Sequence, residues 1–299
     1  MDTQQPKEHI SFFDAIESNK RNSILLILVM VGIFAAMIFV TSYMLDLGIC
    51  GPIIGLAGLV FYSVIVYFQG SNIILMLSGA KEVQKQDQPY LFNVVEGLAL
   101  ASQIPMPKIY IVNDPSPNAF ATGRDPQHSA VSVTTGLLSM MNREELEGVL
   151  AHEISHIANY DIRFSMLAIV FVGAIAMLGD AAGRMLWFGG GRRDREGGGA
   201  LVLIGLIFVI IAPIFAELVK FAISRQRESL ADANGARLTR YPEGLASALE
   251  KIKNASIPTQ TATKTTAPLY FSDPFINKFG SIFATHPPLD ERIKRLRSM

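Results

Sequence analysis

The sequence predicts a mainly α-helical membrane protein with four transmembrane helices and a water-facing α+β domain that carries a small β-sheet. Three observations predict it. Of the 299 residues, 50% are hydrophobic and only 17% are charged, where a soluble domain carries about a quarter charged residues. Four long uncharged runs interrupt the chain. Around them lie polar stretches whose helix-like and strand-like patterns are punctuated by proline and glycine.

The first run, Ile24 to Leu45, holds 22 residues without a charge, matching the roughly 20 that a helix needs to cross a hydrocarbon core. A mostly polar segment with Lys7, Glu8, Glu17, Lys20 and Arg21 precedes it. The run is too long for the core of a signal peptide and reads as a retained anchor. Asp46, Gly48, Gly51 and Pro52 then break the helix. In the second stretch, Leu47 to Ala80, Pro52 to Phe68 spans and Gln69 to Ala80 prolongs the helix out of the membrane. The third run has 16 uncharged residues, Phe164 to Gly179, and the fourth has 20, Gly197 to Ala216. Gly189 to Gly199 between them reads as a flexible polar connector.

Orientation follows from the basic flanks. Lys7, Lys20 and Arg21 precede the first span, Lys81 and Lys85 follow the second, and the connector between them has none. The N-terminus and everything after Ala80 are therefore expected in the cytoplasm. Arg184, Arg192, Arg193 and Arg195 run against this rule if the third and fourth runs both cross; crossing is the expectation. The chain then divides into an anchor with two spans (1–80), a first water-facing segment (81–162), a transmembrane hairpin (163–216) and a second water-facing segment (217–299).

The water-facing elements are a helix near Tyr90 to Ser102 and short strands at Lys108 to Val112, Asn118 to Thr122 and Ala130 to Val133. A helix follows over Asn142 to Asn159, with Asn142 as N-cap and Glu145 at the acidic position of a capping box. Ser256 to Pro274, rich in Thr, Pro and Ala, reads as a connector. Arg292, Lys294, Arg295 and Arg297 read as a solvated helix face. Zero net charge gives no global case for nucleic acid. The single Cys50 excludes an intrachain disulfide and a cysteine-built zinc finger; it reads as a packing residue at the end of an apolar run.

The predicted helix contains His152-Glu153-Ile154-Ser155-His156, an H-E-x-x-H pattern. A spacing of four puts both imidazoles on one helical face, where they can meet a single ion. Glu153, beside the first ligand, can reach a water on that ion. Catalytic zinc takes three protein ligands and keeps one position open, so the third ligand must be His, Asp or Glu. Downstream, Glu228 and Asp232 share a helical face. Glu228 can ligate, and Asp232 can accept a hydrogen bond from the outer nitrogen of a ligand histidine. By itself this pair reads equally as an ion-paired helix face.

H-E-x-x-H followed, after a membrane hairpin, by E-x-x-x-D resembles the HtpX family of membrane zinc metalloproteases, relatives of the CAAX prenyl endoproteases and of soluble gluzincin-like peptidases. Asn118-Ala119-Phe120 resembles that family's N-A-F edge strand, and Thr285-His286-Pro287-Pro288 with Arg292 resembles its H-P-P-x-x-x-R segment. The resemblance runs in order over nearly the whole chain. It implies one zinc per chain, held by His152, His156 and Glu228, with Glu153 as the catalytic base and Asp232 behind a ligand. It further implies that His286, supported by Arg292, stabilises the oxyanion, and that Asn118, Ala119 and Phe120 hold the substrate backbone. The implied setting is the cell inner membrane, with unfolded or damaged membrane proteins as substrates and other quality-control proteases as partners.

His156 lies eight residues before Phe164, about 12 Å of helix, and Ala216 lies twelve before Glu228, about 18 Å. Both ligand-bearing helices would then be rooted in the bilayer, with the zinc roughly 10–20 Å from the cytoplasmic membrane surface. Two competing readings are a transporter or scaffold with a structural metal, and a prenyl-protein processing enzyme. Structural zinc is closed by four protein ligands, and four short spans are too few to enclose the larger membrane chamber of the prenyl enzymes.

Overall fold

The computed structural model describes residues 12–44, 48–171, 173, 225–255, 257–263, 266–272 and 287–299. It opens with two long helices, α1 (Phe12–Met44) and α2 (Cys50–Leu77). At 1.5 Å per residue they extend about 50 and 42 Å, more than the roughly 30 Å hydrocarbon core. α1 starts twelve residues before Ile24, so three polar helical turns project from the apolar run. α2 continues without a break past Gln69, as expected of a span prolonged into water.

Their surfaces decide between membrane spans and soluble core helices. Only 28% of the most apolar window of the first and 11% of the second is buried, and Ile24, Leu28, Ile54, Val60 and Phe61 face outward. Such area is unfavourable in water by about 25 cal/mol per Å² and is at home against acyl chains. The fourth apolar run, and the third beyond residue 171 apart from residue 173, lie outside the described residues. Cys50 is exposed rather than packed, because it opens α2 directly after the connector turn at Gly48, where φ is 57°.

The sheet consists of β1 (Ala80–Glu82), β2 (Lys108–Val112), β3 (Ala119–Asp125) and β4 (His128–Thr134). Its order is β1-β2-β4-β3, with β2 parallel to β4 and the other pairs antiparallel. α3 (Pro89–Ala101) leads from β1 to β2. β1 and the six-residue α4 (Thr135–Met140) were not foreseen; neither is long enough to show a period. Alternation along the strands divides the interior in two. Ile109, Ala119, Ala121, Val131 and Val133 face a core built on α3 and the helices after β4. Tyr110, Val112, Phe120 and Ala130 face the membrane helices. The sheet thus joins the water-facing domain to the anchor.

α5 (Arg143–Ala158) is the centre of the first core. Its start is the expected capping box: Asn142 Oδ1 accepts from the Glu145 N–H, and Glu145 accepts from the Asn142 N–H at 2.8 Å. Ser247 and Lys251 also bond the Glu145 carboxylate. Burial raises the pKa of that carboxyl, but these donors outweigh it and hold the group below the ordinary value of 4.5. A depressed pKa contributes stability above the unfolded value and loses it as pH falls through the folded one. Glu145→Gln is therefore expected to flatten the loss of thermal stability below about pH 4.5, measured by unfolding scans in detergent.

Against α5 pack α7 (Arg225–Thr239) and α8 (Pro242–Ala255). The α5–α8 approach requires glycine: a Cβ on Gly148 would lie 2.7 Å from the Leu245 nitrogen. Gly148→Ala is expected to cost about 1–3 kcal/mol by overpacking, visible as a lowered unfolding midpoint. The chain closes with α9 (Leu289–Leu296). Arg295 and Arg297 reach outward, the latter to Glu243 and Glu250. The expectation of a solvated face fails at Arg292, which is fully buried, because it shares its face with buried Ile293 and Leu296.

The expected run of α5 into the third apolar segment is also corrected. α5 stops at Ala158, Asn159 caps it, and Tyr160 takes a left-handed φ of 62°. A new helix, α6, starts at residue 161 and is described to residue 171.

Candidate metal centre

His152 and His156 project from one face of α5, and Glu228 faces them from α7. Their ligand atoms all lie within 4.8 Å of one another. The two Nε2 atoms are 3.1 Å apart. Glu228 places Oε2 3.7 Å from His152 Nε2 and Oε1 3.6 Å from His156 Nε2. Atoms that bind one zinc at about 2.0–2.2 Å can be at most about 4.3 Å apart, and each of these pairs meets that limit. Gly235, one turn beyond Asp232 on α7, allows the approach: a Cβ there would sit 3.2 Å from the His152 nitrogen.

The charge inventory also fits a cation. Glu153, Asp161, Glu228 and Asp232 are all buried here, and Arg227 and Arg292 are the guanidiniums among them. These carboxylates border the histidine pair, and a carboxylate with two imidazoles is a donor set suited to a divalent ion. The histidines respond to this field. Burial lowers the pKa of His152 more than its Asp232 hydrogen bond raises it. Burial also acts to lower His156, but the Asp161 hydrogen bond and the charges of Glu228, Asp161 and Glu153 push it up instead.

Behind the ligands lies a layer of carboxylates. Asp232 Oδ1 is 3.0 Å from His152 Nδ1, the position expected of it. Arg292 bonds both Asp232 oxygens, at 3.0 and 2.7 Å, and its Nη1 is 3.7 Å from Glu228 Oε2. The family resemblance placed Arg292 in support of an oxyanion-binding histidine. Among the described residues it touches two acidic groups of α7, its side chain being buried on their side of α9. His286 lies outside the described residues.

His156 has a partner that the sequence reading missed: its Nδ1 is 2.9 Å from Asp161 Oδ2. Residues five apart on a helix are about 140° round its axis, so no helical pattern could pair them. The left-handed turn at Tyr160 brings Asp161 back.

Ala119 and Phe120 begin β3, the edge strand of the sheet, and Asn118 immediately precedes it. The Asn118 amide is engaged within the chain: it accepts from the Ser272 N–H at 3.2 Å and donates to the Ser272 carbonyl at 3.1 Å. Phe271 donates its N–H to the Ala119 carbonyl at 2.8 Å, and Phe120 packs edge-on against Tyr270. The stretch around Thr259 to Ser272 is therefore more than a connector. Thr259, Tyr270 and Phe271 are buried, and the Phe271 ring lies edge-on to His152.

Sequence comparison agrees with this geometry. Residues 85–299 match the model of Peptidase family M48. The chain belongs to this family. M48 peptidases are zinc metallopeptidases, and this member is a metalloprotease. Among its relatives, a protein named Protease HtpX homolog from Dictyoglomus turgidum is 49% identical over 290 residues, covering 97% of this chain and 95% of the relative. Another of that name, from Streptococcus gordonii, is 45% identical, covering 96% and 99%. One from Lactobacillus helveticus is 48% identical, covering 83% and 86%. With two apolar, outward-facing helices, this M48 peptidase is a membrane protein.

Proposed function

We propose that this metalloprotease is a zinc endopeptidase of the cell inner membrane that cuts unfolded or damaged membrane proteins next to the cytoplasmic surface. The observation that carries the reading is the convergence of His152, His156 and Glu228, with Glu153 between the two histidines on the same helix. In this reading one zinc per chain is held by those three residues. When bound, zinc supplies Lewis acidity, polarising a carbonyl and bringing the pKa of water towards neutrality.

The residues do the rest. Glu153 accepts the proton of the attacking water and passes it to the departing amine. Asp232 and Asp161 each fix the ring plane and tautomer of one histidine through its outer nitrogen. Arg292 keeps Asp232 ionised. By the family resemblance a substrate in extended form would lie along the outer edge of β3, past the Ala119 carbonyl that the Phe271 N–H occupies. By the family resemblance His286 is the second group for the oxyanion. Both termini and the catalytic segments are assigned to the cytoplasm, and the 163–216 hairpin to the bilayer.

Proximity to the membrane supports the substrate class. The turn that ends the metal-binding helix bonds Asn19 of α1, five residues, or about 7.5 Å of helix, before the uncharged run at Ile24. A site there meets chains still anchored in the bilayer before it meets cytosolic ones.

The test is metal analysis of detergent-purified protein alongside cleavage of an unfolded membrane protein. One zinc per chain, its loss in His156→Ala and chelator-sensitive cleavage are expected. Full zinc content in His156→Ala would remove the assigned ligand set.

A further inference from the structure

The side chain of Asn19 is nearly inaccessible although it sits on the polar start of α1. Its Nδ2 lies 2.7 Å from Asp161 Oδ1 and 2.9 Å from the carbonyl of Asn159. Both partners can only accept, so the amide nitrogen faces them and each of its hydrogens has one acceptor. The second oxygen of Asp161 takes the outer nitrogen of His156 at 2.9 Å. Arg227, on the helix that carries Glu228, stands 3.7 Å from Asp161 Oδ1. Asp161 is itself buried and so gathers three elements: the anchor, the H-E-x-x-H helix and the helix of the third ligand.

We infer that Asn19 is a positioning residue of the metal centre, acting from the first membrane helix through Asp161 on His156. The inference rests on the ligand set proposed above. A carboxylate held by one histidine alone can rotate about its own side-chain torsions. Held also at its other oxygen by an amide, it presents a fixed acceptor, and a fixed acceptor fixes the histidine tautomer and ring plane. The same amide clamps the Asn159 carbonyl, the peptide at the turn where Tyr160 adopts its left-handed conformation. Nothing in the H-E-x-x-H segment can make this bond, because the donor lies 142 residues earlier in the chain. Packing of α1 against the catalytic segment therefore completes the metal site as well as anchoring it.

The experiment measures zinc affinity of the full-length protein in detergent by competition with a chromophoric chelator. The variants are Asn19→Leu, which keeps the volume and removes the donors, Asn19→Ser, a smaller polar replacement, Asp161→Asn and the double Asn19→Leu/Asp161→Asn. Loss of such outer partners weakens metal binding about 10–100-fold, and each single variant is expected in that range. The double variant is expected to bind no more weakly than Asp161→Asn alone, because Asn19 acts through Asp161. Asn19→Leu combined with Asp232→Asn, on the other histidine, is expected to be additive. A merely structural role for Asn19 would add its effect equally in both backgrounds. If Asn19→Leu does not fold, Asn19→Ser carries the same comparison. Wild-type affinity in the Asn19 variants, or full additivity with Asp161→Asn, overturns the inference while leaving the ligand set intact. A wild-type chain that binds no zinc overturns the ligand set itself.

Discussion

Replacing Glu153 by glutamine is expected to leave zinc binding unchanged and to slow peptide hydrolysis by about 10²–10⁴-fold, the range of general acid–base catalysis. The side chain keeps its size and its place on α5, so the ligands on either side of it are undisturbed. Glutamine has no basic oxygen for the water's proton and no proton to return to the amine. The carboxylate's place is favourable for both steps: it is buried and close enough to His156 and Arg292 for its charge to act on each. Metal content and single-turnover cleavage of an unfolded substrate check the two halves separately. Activity within threefold of wild type in a zinc-loaded Glu153→Gln protein would remove this residue from the proton path.

The second large effect is on stability. Arg292 is fully buried and bonds Asp232 through two nitrogens, with Glu228 3.7 Å away. Burial works against its charge, and the Asp232 and Glu228 carboxylates more than offset that, so its pKa is raised. Arg292→Met fills most of the volume but leaves two carboxylates in a dry interior without their cation. Breaking a buried ion pair from one side costs about 3–5 kcal/mol. For a chain of this size each kcal/mol lowers the unfolding midpoint by roughly 2–4 °C. Unfolding of the metal-free protein in detergent should show that drop, and Arg292→Met/Asp232→Asn should recover part of it. Arg292→Lys restores the charge without the two-pronged geometry and should fall between. An unchanged midpoint in Arg292→Met would show that the buried layer is not held by this pair.

The parts legible in sequence share one property: their evidence is local. The span beginning at Ile24 is visible as an unbroken apolar run, and the sheet strand at Lys108 to Val112 matches its reading residue for residue. The capping box at Asn142 and Glu145 is a contact over three residues. The H-E-x-x-H spacing places two ligands because helix geometry alone puts them on one face. β1 and α4 escaped because three and six residues are too few to show a period.

The ring around the ligands was not legible in the same way. Asp161 sits one residue beyond a turn whose left-handed residue is a tyrosine, and nothing in that residue's chemistry announces such a conformation. Asn19 reads as one more polar residue ahead of an anchor. Arg292 reads as part of a basic tail, yet it is the largest fully buried side chain among the described residues. The pairing of the Asn118 amide with Ser272 spans 154 residues and leaves no local pattern.

By itself, then, the sequence determined that this is a membrane protein with a helix-borne histidine pair and a glutamate beside it, because periodicity and run length are properties of neighbouring residues. Only the tertiary structure decided which distant groups stand behind each ligand. Apart from Asp161, five residues from His156, those contacts join residues 60 to 142 positions apart, and burial makes each one matter: in a dry interior an unpaired charge is costly, so the fold brings partners together from wherever the chain can supply them.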